Sequence, residues 1–230
     1  MLARSSNVGT VMLAQLLGRD RIGRWISRFG FGRATGIDFP GESPGIVLPV
    51  DHWSGSTIGN VPIGQGIAVT PIQTAAAYGA LANRGVWVQP HLVDHVRGAK
   101  PKRLERRRVV SVLVARELLW MLQGVVSGGT GEAAAVPGYL VAGKTGTAAK
   151  PDPSGGYSDT KYVASFVGIV PASAPRLVIL VSIDEPQGQI FGGLVAAPAF
   201  RDIARFALQY LDAPPDDPAS LRDAGGAPLG

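Results

Sequence analysis

Apolar positions recur every three or four residues in several segments of the first half of this chain and form alternating or continuous runs late in it. Helices are therefore expected early and a sheet late. From Val8, the residues Val11, Met12 and Leu16 fall at helical spacing until Gly18 stops the run. Asp20 is expected to cap a second helix whose stripe Ile22, Trp25, Ile26 and Phe29 ends at Gly30. Residues 32–66 are rich in Gly and Pro and lack a period, which predicts a long irregular connection that wraps a face and borders a site. Thr70-Pro71 opens a helix to about Asn83, with threonine as the cap and proline in the first turn, where its missing N–H costs nothing. Val86 to Val88 and Leu92 to Val96 read as strands. Ser111 caps a helix carrying Leu113, Leu118, Met121 and Leu122, ended by Gly128-Gly129-Thr130-Gly131.

After that cluster the pattern changes. Tyr139 to Thr147, Tyr162 to Val170 and Arg176 to Asp184 are β-rich, and the short link between the last two makes them an antiparallel hairpin. Pro198 is expected to open a helix whose stripe Phe200, Ile203, Ala204, Ala207 and Leu211 suits packing on that sheet. The expected fold class is α+β, an antiparallel sheet packed by helices. Residues 1–211 form one domain, and 212–230 read as a disordered tail.

Composition narrows the chemistry. With 46% hydrophobic and 17% charged residues the chain can bury a core, and with no cysteine it has no disulfide, thiolate metal site or cysteine nucleophile. No apolar run is long enough to span a membrane, and Met1-Leu2-Ala3-Arg4 carries no signal-peptide pattern. The net charge of +5 comes largely from Arg97, Lys100, Lys102, Arg103, Arg106, Arg107 and Arg108, opposed there by Glu105 alone. That stretch lacks interleaved aromatics, contains Pro101 and lies between strand-like segments, so a solvated hairpin tip is favoured over a nucleic-acid or lipid site. His91 and His95 are four apart on strand-like sequence, too distant to share an ion, and with His52 they are read as ordinary surface or core histidines. No metal or cofactor is expected.

One run supports two chemistries. Gly138, Gly143, Lys144 and Thr145 fit the phosphate-binding pattern G-x-x-x-x-G-K-T, with Asp184-Glu185 as a possible magnesium strand. That loop needs a strand before its first glycine and a helix straight after the threonine. Tyr139 to Ala142 is itself strand-like, and Pro151, Pro153 and Ser154-Gly155-Gly156 forbid the helix, so a phosphate-loop NTPase is disfavoured. Read forward, Lys144-Thr145-Gly146-Thr147 is a K-T-G element on a strand, as in penicillin-recognising serine enzymes. Ser5-Ser6-Asn7 supplies an S-x-N triplet at the start of the first helix; alone it is no more than a good helix cap, and its weight comes from preceding K-T-G.

The text around these triplets resembles class B penicillin-binding proteins, the peptidoglycan D,D-transpeptidases of cell division and elongation. The resemblance runs through Ser5-Ser6-Asn7-Val8-Gly9, Phe31-Gly32, Thr35-Gly36-Ile37, Pro40-Gly41-Glu42, Gly64-Gln65-Gly66, Val69-Thr70-Pro71, residues 141–148, Gly192-Gly193 and Ala196-Ala197-Pro198. It implies the C-terminal part of a transpeptidase domain with the fold shared by serine β-lactamases, incomplete at its N-terminus. It also implies acyl transfer from D-Ala-D-Ala stem peptides, with penicillin as a mimic of the donor. By resemblance Ser5 relays a proton toward the leaving or attacking amine. Asn7 hydrogen-bonds the substrate, Lys144 supplies positive potential, and Thr145 and Thr147 hold the donor's terminal carboxylate. The backbone N–H of Thr147 forms half of an oxyanion hole. Gly146, without a side chain, lets a substrate backbone lie against the strand and pair with it.

The family's S-x-x-K nucleophile precedes S-x-N, and only four residues precede Ser5. The literal match Ser158-Asp159-Thr160-Lys161 follows K-T-G and enters a strand, so it is read as chance. The chain alone is therefore expected to be inactive, and poorly soluble because the apolar segment Arg176 to Asp184 lacks a strand neighbour. The partners implied are stem peptides, penicillins and a membrane glycosyltransferase of the cell-wall machinery, and the place implied is the outer face of the bacterial membrane. A D,D-carboxypeptidase or β-lactamase shares the motifs, and a non-catalytic scaffold or β-lactam-sensing module fits the missing serine; the flanking text favours the transpeptidase.

Overall fold

A computed structural model describes residues 1–98, 100 and 103–223. In chain order the elements are α1 (Asn7–Leu17), α2 (Arg19–Phe29), β1 (Ile46–Val47), α3 (Thr57–Asn60), β2 (Ile67–Ala68), α4 (Pro71–Ala82), β3 (Val86–Val88), β4 (Arg106–Arg108), α5 (Val112–Val126), β5 (Ala142–Pro151), β6 (Tyr157–Val170), β7 (Leu177–Asp184), α6 (Gly192–Tyr210) and α7 (Ser220–Asp223). They divide into one unit of residues 6–115 and another of residues 1–5 with 116–230.

In residues 6–115 short elements are tied together by polar side chains. β1 pairs antiparallel with β2, and β3 with β4. Thr70 and Gln73 close a reciprocal capping box at the start of α4, which satisfies two helix-end donors at once. Gln73 is 1% exposed, and its amide also donates to the carbonyls of Arg33 at 2.7 Å and Pro44 at 2.9 Å. Thr35 donates to Glu42 through its hydroxyl at 2.6 Å and its N–H at 2.7 Å, and the Gly36 N–H adds a bond of 2.9 Å. The long connection is thus pinned largely by side chains, with the short β1–β2 ladder beside them.

Several expectations for this unit are corrected. Asp20 does not cap α2: Gly18 ends α1 and also begins α2, leaving Asp20 in the first turn, where its charge complements the helix dipole. The stripe of α2 is only half-buried, with Trp25 exposed, and α1 buries Ala14 while Val8, Met12 and Leu16 face outward. Leu92 to Val96 is not a strand, because Asp38 takes the N–H groups of Leu92 at 2.6 Å and Val93 at 3.1 Å and satisfies them without a ladder. The partner of β3 is instead the basic run itself: Val86 faces Arg108, and the Arg107 guanidinium lies 4.4 Å from the ring centre of buried Trp87. Lys102 of that run lies outside the described residues. On α5, whose residues from Arg116 onward belong to the other unit, Ser111 accepts from the Val114 N–H as expected, but the buried positions are Ala115, Leu119, Leu122, Val125 and Val126, with Leu113 and Met121 exposed.

The other unit is built on one sheet in the order β5-β6-β7, antiparallel throughout. α6 packs on it with Ala196, Ala197, Phe200, Ala204 and Leu208, all fully buried. The rings of Phe166 on β6 and Phe200 on α6 meet edge to face at 4.9 Å. Phe166 also explains Gly143, since a Cβ there would fall 2.5 Å from its ring. Two expectations change. Pro198 does not open α6 but lies inside it, because the buried alanines before it and Phe200 after it hold both halves on the sheet against the lost hydrogen bond. Ile203 of the expected stripe is accordingly exposed.

The segment after α6, expected to be disordered from Asp212, is hydrogen-bonded to the rest of the unit as far as Ser220, where α7 begins. Asp216 accepts from the Leu140 N–H at 2.8 Å and from the Ser173 hydroxyl at 2.7 Å, and Asp217 bridges Gly138. Residues 224–230 lie outside the described residues.

Candidate functional site

Lys144, Thr145, Gly146 and Thr147 sit on β5 opposite Val167, Phe166, Ser165 and Ala164 of β6. Among the described residues β5 pairs only with β6, which leaves its other edge open along the whole motif. The phosphate-loop alternative fails on the same fact, for β5 continues to Pro151 where a helix is required.

The Lys144 ammonium donates to Ser5 Oγ at 2.8 Å, to the Thr145 carbonyl at 3.1 Å and to Thr145 Oγ1 at 3.4 Å. All three partners are uncharged oxygens, so the positive charge is left for a ligand. Burial pushes the Lys144 amine below its usual value. Ser5 is held in the left-handed region at φ 49°, with its N–H on the Leu2 carbonyl at 3.1 Å, an uncommon backbone for a residue other than glycine. Two residues that are distant in sequence thus meet through a serine in a constrained turn.

Thr145 Oγ1 is also 2.8 Å from Thr130 Oγ1. Thr147, exposed, accepts the Gly192 N–H from the start of α6 at 3.2 Å. That approach requires glycine. A Cβ on Gly192 would fall 2.2 Å from the Ser165 carbonyl oxygen and 2.4 Å from that of Gly146, and one on Gly193 would fall 2.1 Å from that of Thr130. At Gly146 a Cβ would fall 2.5 Å from Ser165 Oγ, a hydroxyl that can rotate away, so the sheet sets no such demand for glycine there.

The structure therefore gathers Ser5, Lys144 and Thr145 into one hydrogen-bonded cluster, with Gly146 and Thr147 next along the strand. Asn7, exposed at the start of α1, belongs to the other unit. Thr130 went unnoticed in the sequence because its glycine neighbours read as a helix terminator. Ser158 is 8% exposed, and its Oγ accepts the N–H groups of Thr160 at 3.2 Å and Lys161 at 3.0 Å, turned onto its own strand. An apolar cleft of about 760 Å³, lined by Leu2, Trp120, Tyr139 and Leu140 among others, contains none of the cluster.

The family described as "Penicillin binding protein transpeptidase domain" matches residues 1–205. Penicillin-binding protein PbpB of Mycobacterium tuberculosis is 43% identical over 93% of this chain and 34% of its own length. Peptidoglycan D,D-transpeptidase FtsI of Escherichia coli (strain K12) is 36% identical over 94% of this chain and 36% of its own length. The crystal structure of penicillin binding protein 3 from Mycobacterium tuberculosis complexed with aztreonam superposes with a TM-score of 0.87 at 42% identity, covering 94% of this chain and 52% of that one. The chain spans roughly a third of the length of such curated relatives. With its K-T-G strand, α+β fold and matched residues in agreement, the chain belongs to the penicillin-binding protein transpeptidase domain family.

Proposed function

We propose that this chain supplies the K-T-G half of a serine-type peptidoglycan D,D-transpeptidase site, which takes the D-Ala-D-Ala end of a stem peptide and is acylated by penicillins. The observation that carries the reading is the uncompensated Lys144 ammonium, 2.8 Å from Ser5 Oγ, beside an open strand edge. Lys144 attracts the donor's carboxylate, and the hydroxyls of Thr145 and Thr147 hold it. Ser5, accepting from Lys144, keeps its own proton to pass to an amine. A peptide backbone adds to the free edge of β5 over Gly146, and the Thr147 N–H faces the growing oxyanion. The attacking serine comes from an S-x-x-K helix of the longer protein, which works at the outer face of the membrane with a glycosyltransferase as its partner.

The test is intact-protein mass after incubation with a labelled penicillin, comparing this chain with a form extended upstream. One acyl adduct on the extended form alone is expected. An adduct on this chain alone assigns the nucleophile to one of its own serines and overturns the division of roles. No adduct on either form removes the penicillin-binding reading.

A further inference from the structure

Hydrogen-bond bookkeeping at the two threonines assigns a role to a residue outside the K-T-G run. A hydroxyl has one proton and two acceptor positions. Thr147 Oγ1 already accepts from the Gly192 N–H, a donor that cannot turn around, so the Thr147 proton points elsewhere. Thr145 Oγ1 accepts from Lys144 Nζ at 3.4 Å, which leaves one acceptor position and one proton. The second contact of Thr145, Thr130 Oγ1 at 2.8 Å, decides where that proton goes. If Thr130 donates, Thr145 is filled as an acceptor and both threonines present their protons outward. If Thr145 donates, its proton is spent inside the protein.

We infer that Thr130 is a positioning residue that donates to Thr145 and so fixes the Thr145 and Thr147 hydroxyls as a pair of donors for an anionic group. Its own place is secured twice: the Thr130 N–H donates to the Ala3 carbonyl at 3.1 Å, and the bare Gly193 packs on the Thr130 carbonyl oxygen. The same short turn of residues 1–5 that presents Ser5 to Lys144 thus also anchors Thr130. A cation beside Thr145 favours this direction, since a hydroxyl next to an ammonium turns its lone pairs toward it and its proton away. The consequence is selectivity for a terminal carboxylate over a neutral group of the same shape.

This rests on the proposed function, and the experiment separates the two. In the full-length protein carrying this chain, acylation rates are measured with a penicillin and with the same penicillin as its methyl ester, for wild type, Thr130→Val and Thr130→Ser. Valine keeps the shape and removes the donor, and is expected to lower the acid-over-ester preference about fivefold, the size of one partly exposed hydrogen bond, while serine restores it. Thr130→Ala, which places no methyl against Thr145, is expected to move in the same direction and serves if the valine form misfolds. An unchanged preference in the valine and alanine forms overturns the inference. A raised preference does so too, and shows that Thr145 was donating to Thr130. A wild type that takes no label from either compound overturns the proposed function, and the inference with it.

Discussion

The two units of this chain reach a fixed structure by different means. The unit of residues 1–5 and 116–223 stands on a sheet and a helix joined through Phe166, Val170, Phe200 and Leu208, all fully buried and apolar. The unit of residues 6–115 has two-stranded ladders of two or three pairs, and its connections are held by Gln73, Glu42, Asp38 and Thr35. Charge divides along the same line: residues 6–115 contain 13 Lys and Arg against 6 Asp and Glu, the remainder 9 against 11. The basic character of the chain is therefore not that of the K-T-G unit, and the positive charge at the site is Lys144's own. An apolar core tolerates drift at its margins, whereas a polar-pinned connection fails one bond at a time.

The largest expected effect tests the apolar unit. Phe166→Ala removes a ring that touches Phe200 and fills the space over Gly143, and is expected to cost about 3–5 kcal/mol in denaturant unfolding. Amide exchange should rise across β5 to β7 and much less around Gln73. Equal loss of protection in both units would erase the contrast. Gln73→Leu tests the polar unit: it breaks the bonds to Arg33, Pro44 and Thr70 while keeping the bulk, leaves two carbonyls unpaired, and is expected to cost about 2–3 kcal/mol. Exchange should then rise at residues 33–45 and leave β6 untouched.

A smaller effect separates the units by pH. Burial raises the Glu42 carboxyl, but hydrogen bonds from the Thr35 hydroxyl and from the N–H groups of Thr35, Gly36 and Ile37 outweigh it, and the net shift is below the usual 4.5. A lowered folded value gives stability that is full above the unfolded value and is lost as pH falls through the folded one. Residues 6–115 should accordingly loosen in acid below about pH 4.5. Glu42→Gln, which cannot accept all of these bonds, should abolish that acid sensitivity and cost about 1 kcal/mol at neutral pH. Acid loosening that persists unchanged in the glutamine form would move the effect to another carboxylate.

The contrast also explains what could be read in advance. The three strands, the K-T-G position and the capped start of α4 were legible because each is set by local period or local capping chemistry. The boundaries that moved were set by partners elsewhere in the chain. Asp38 silenced the strand expected at Leu92, Ala196 and Ala197 carried α6 back through Pro198, and Asp216 tied down a tail whose composition reads as disordered. The site divides in the same way. Ser5, Lys144 and Thr145 follow from motif order, while Thr130 and the Gly192 N–H join them through contacts that no spacing encodes.

The smallest effect on stability bears on the site itself. Because burial lowers the Lys144 amine in the folded state, its charge is lost on the alkaline side before the usual 10.5 is reached. By linkage the folded state sheds this proton first as pH rises, so the burial cost of the charged form is relieved there and folding is not weakened. On the role proposed for Lys144 acylation should behave oppositely, because its rate would depend on a cation that attracts the carboxylate. In the full-length protein, the rate of labelling by penicillin should fall on an alkaline limb with its midpoint below 10.5, while the fold stays intact by circular dichroism. Lys144→Arg keeps a charge that does not titrate in this range and should remove the limb. A limb unchanged in the arginine form would assign the titration to another group and take the attracting charge away from Lys144.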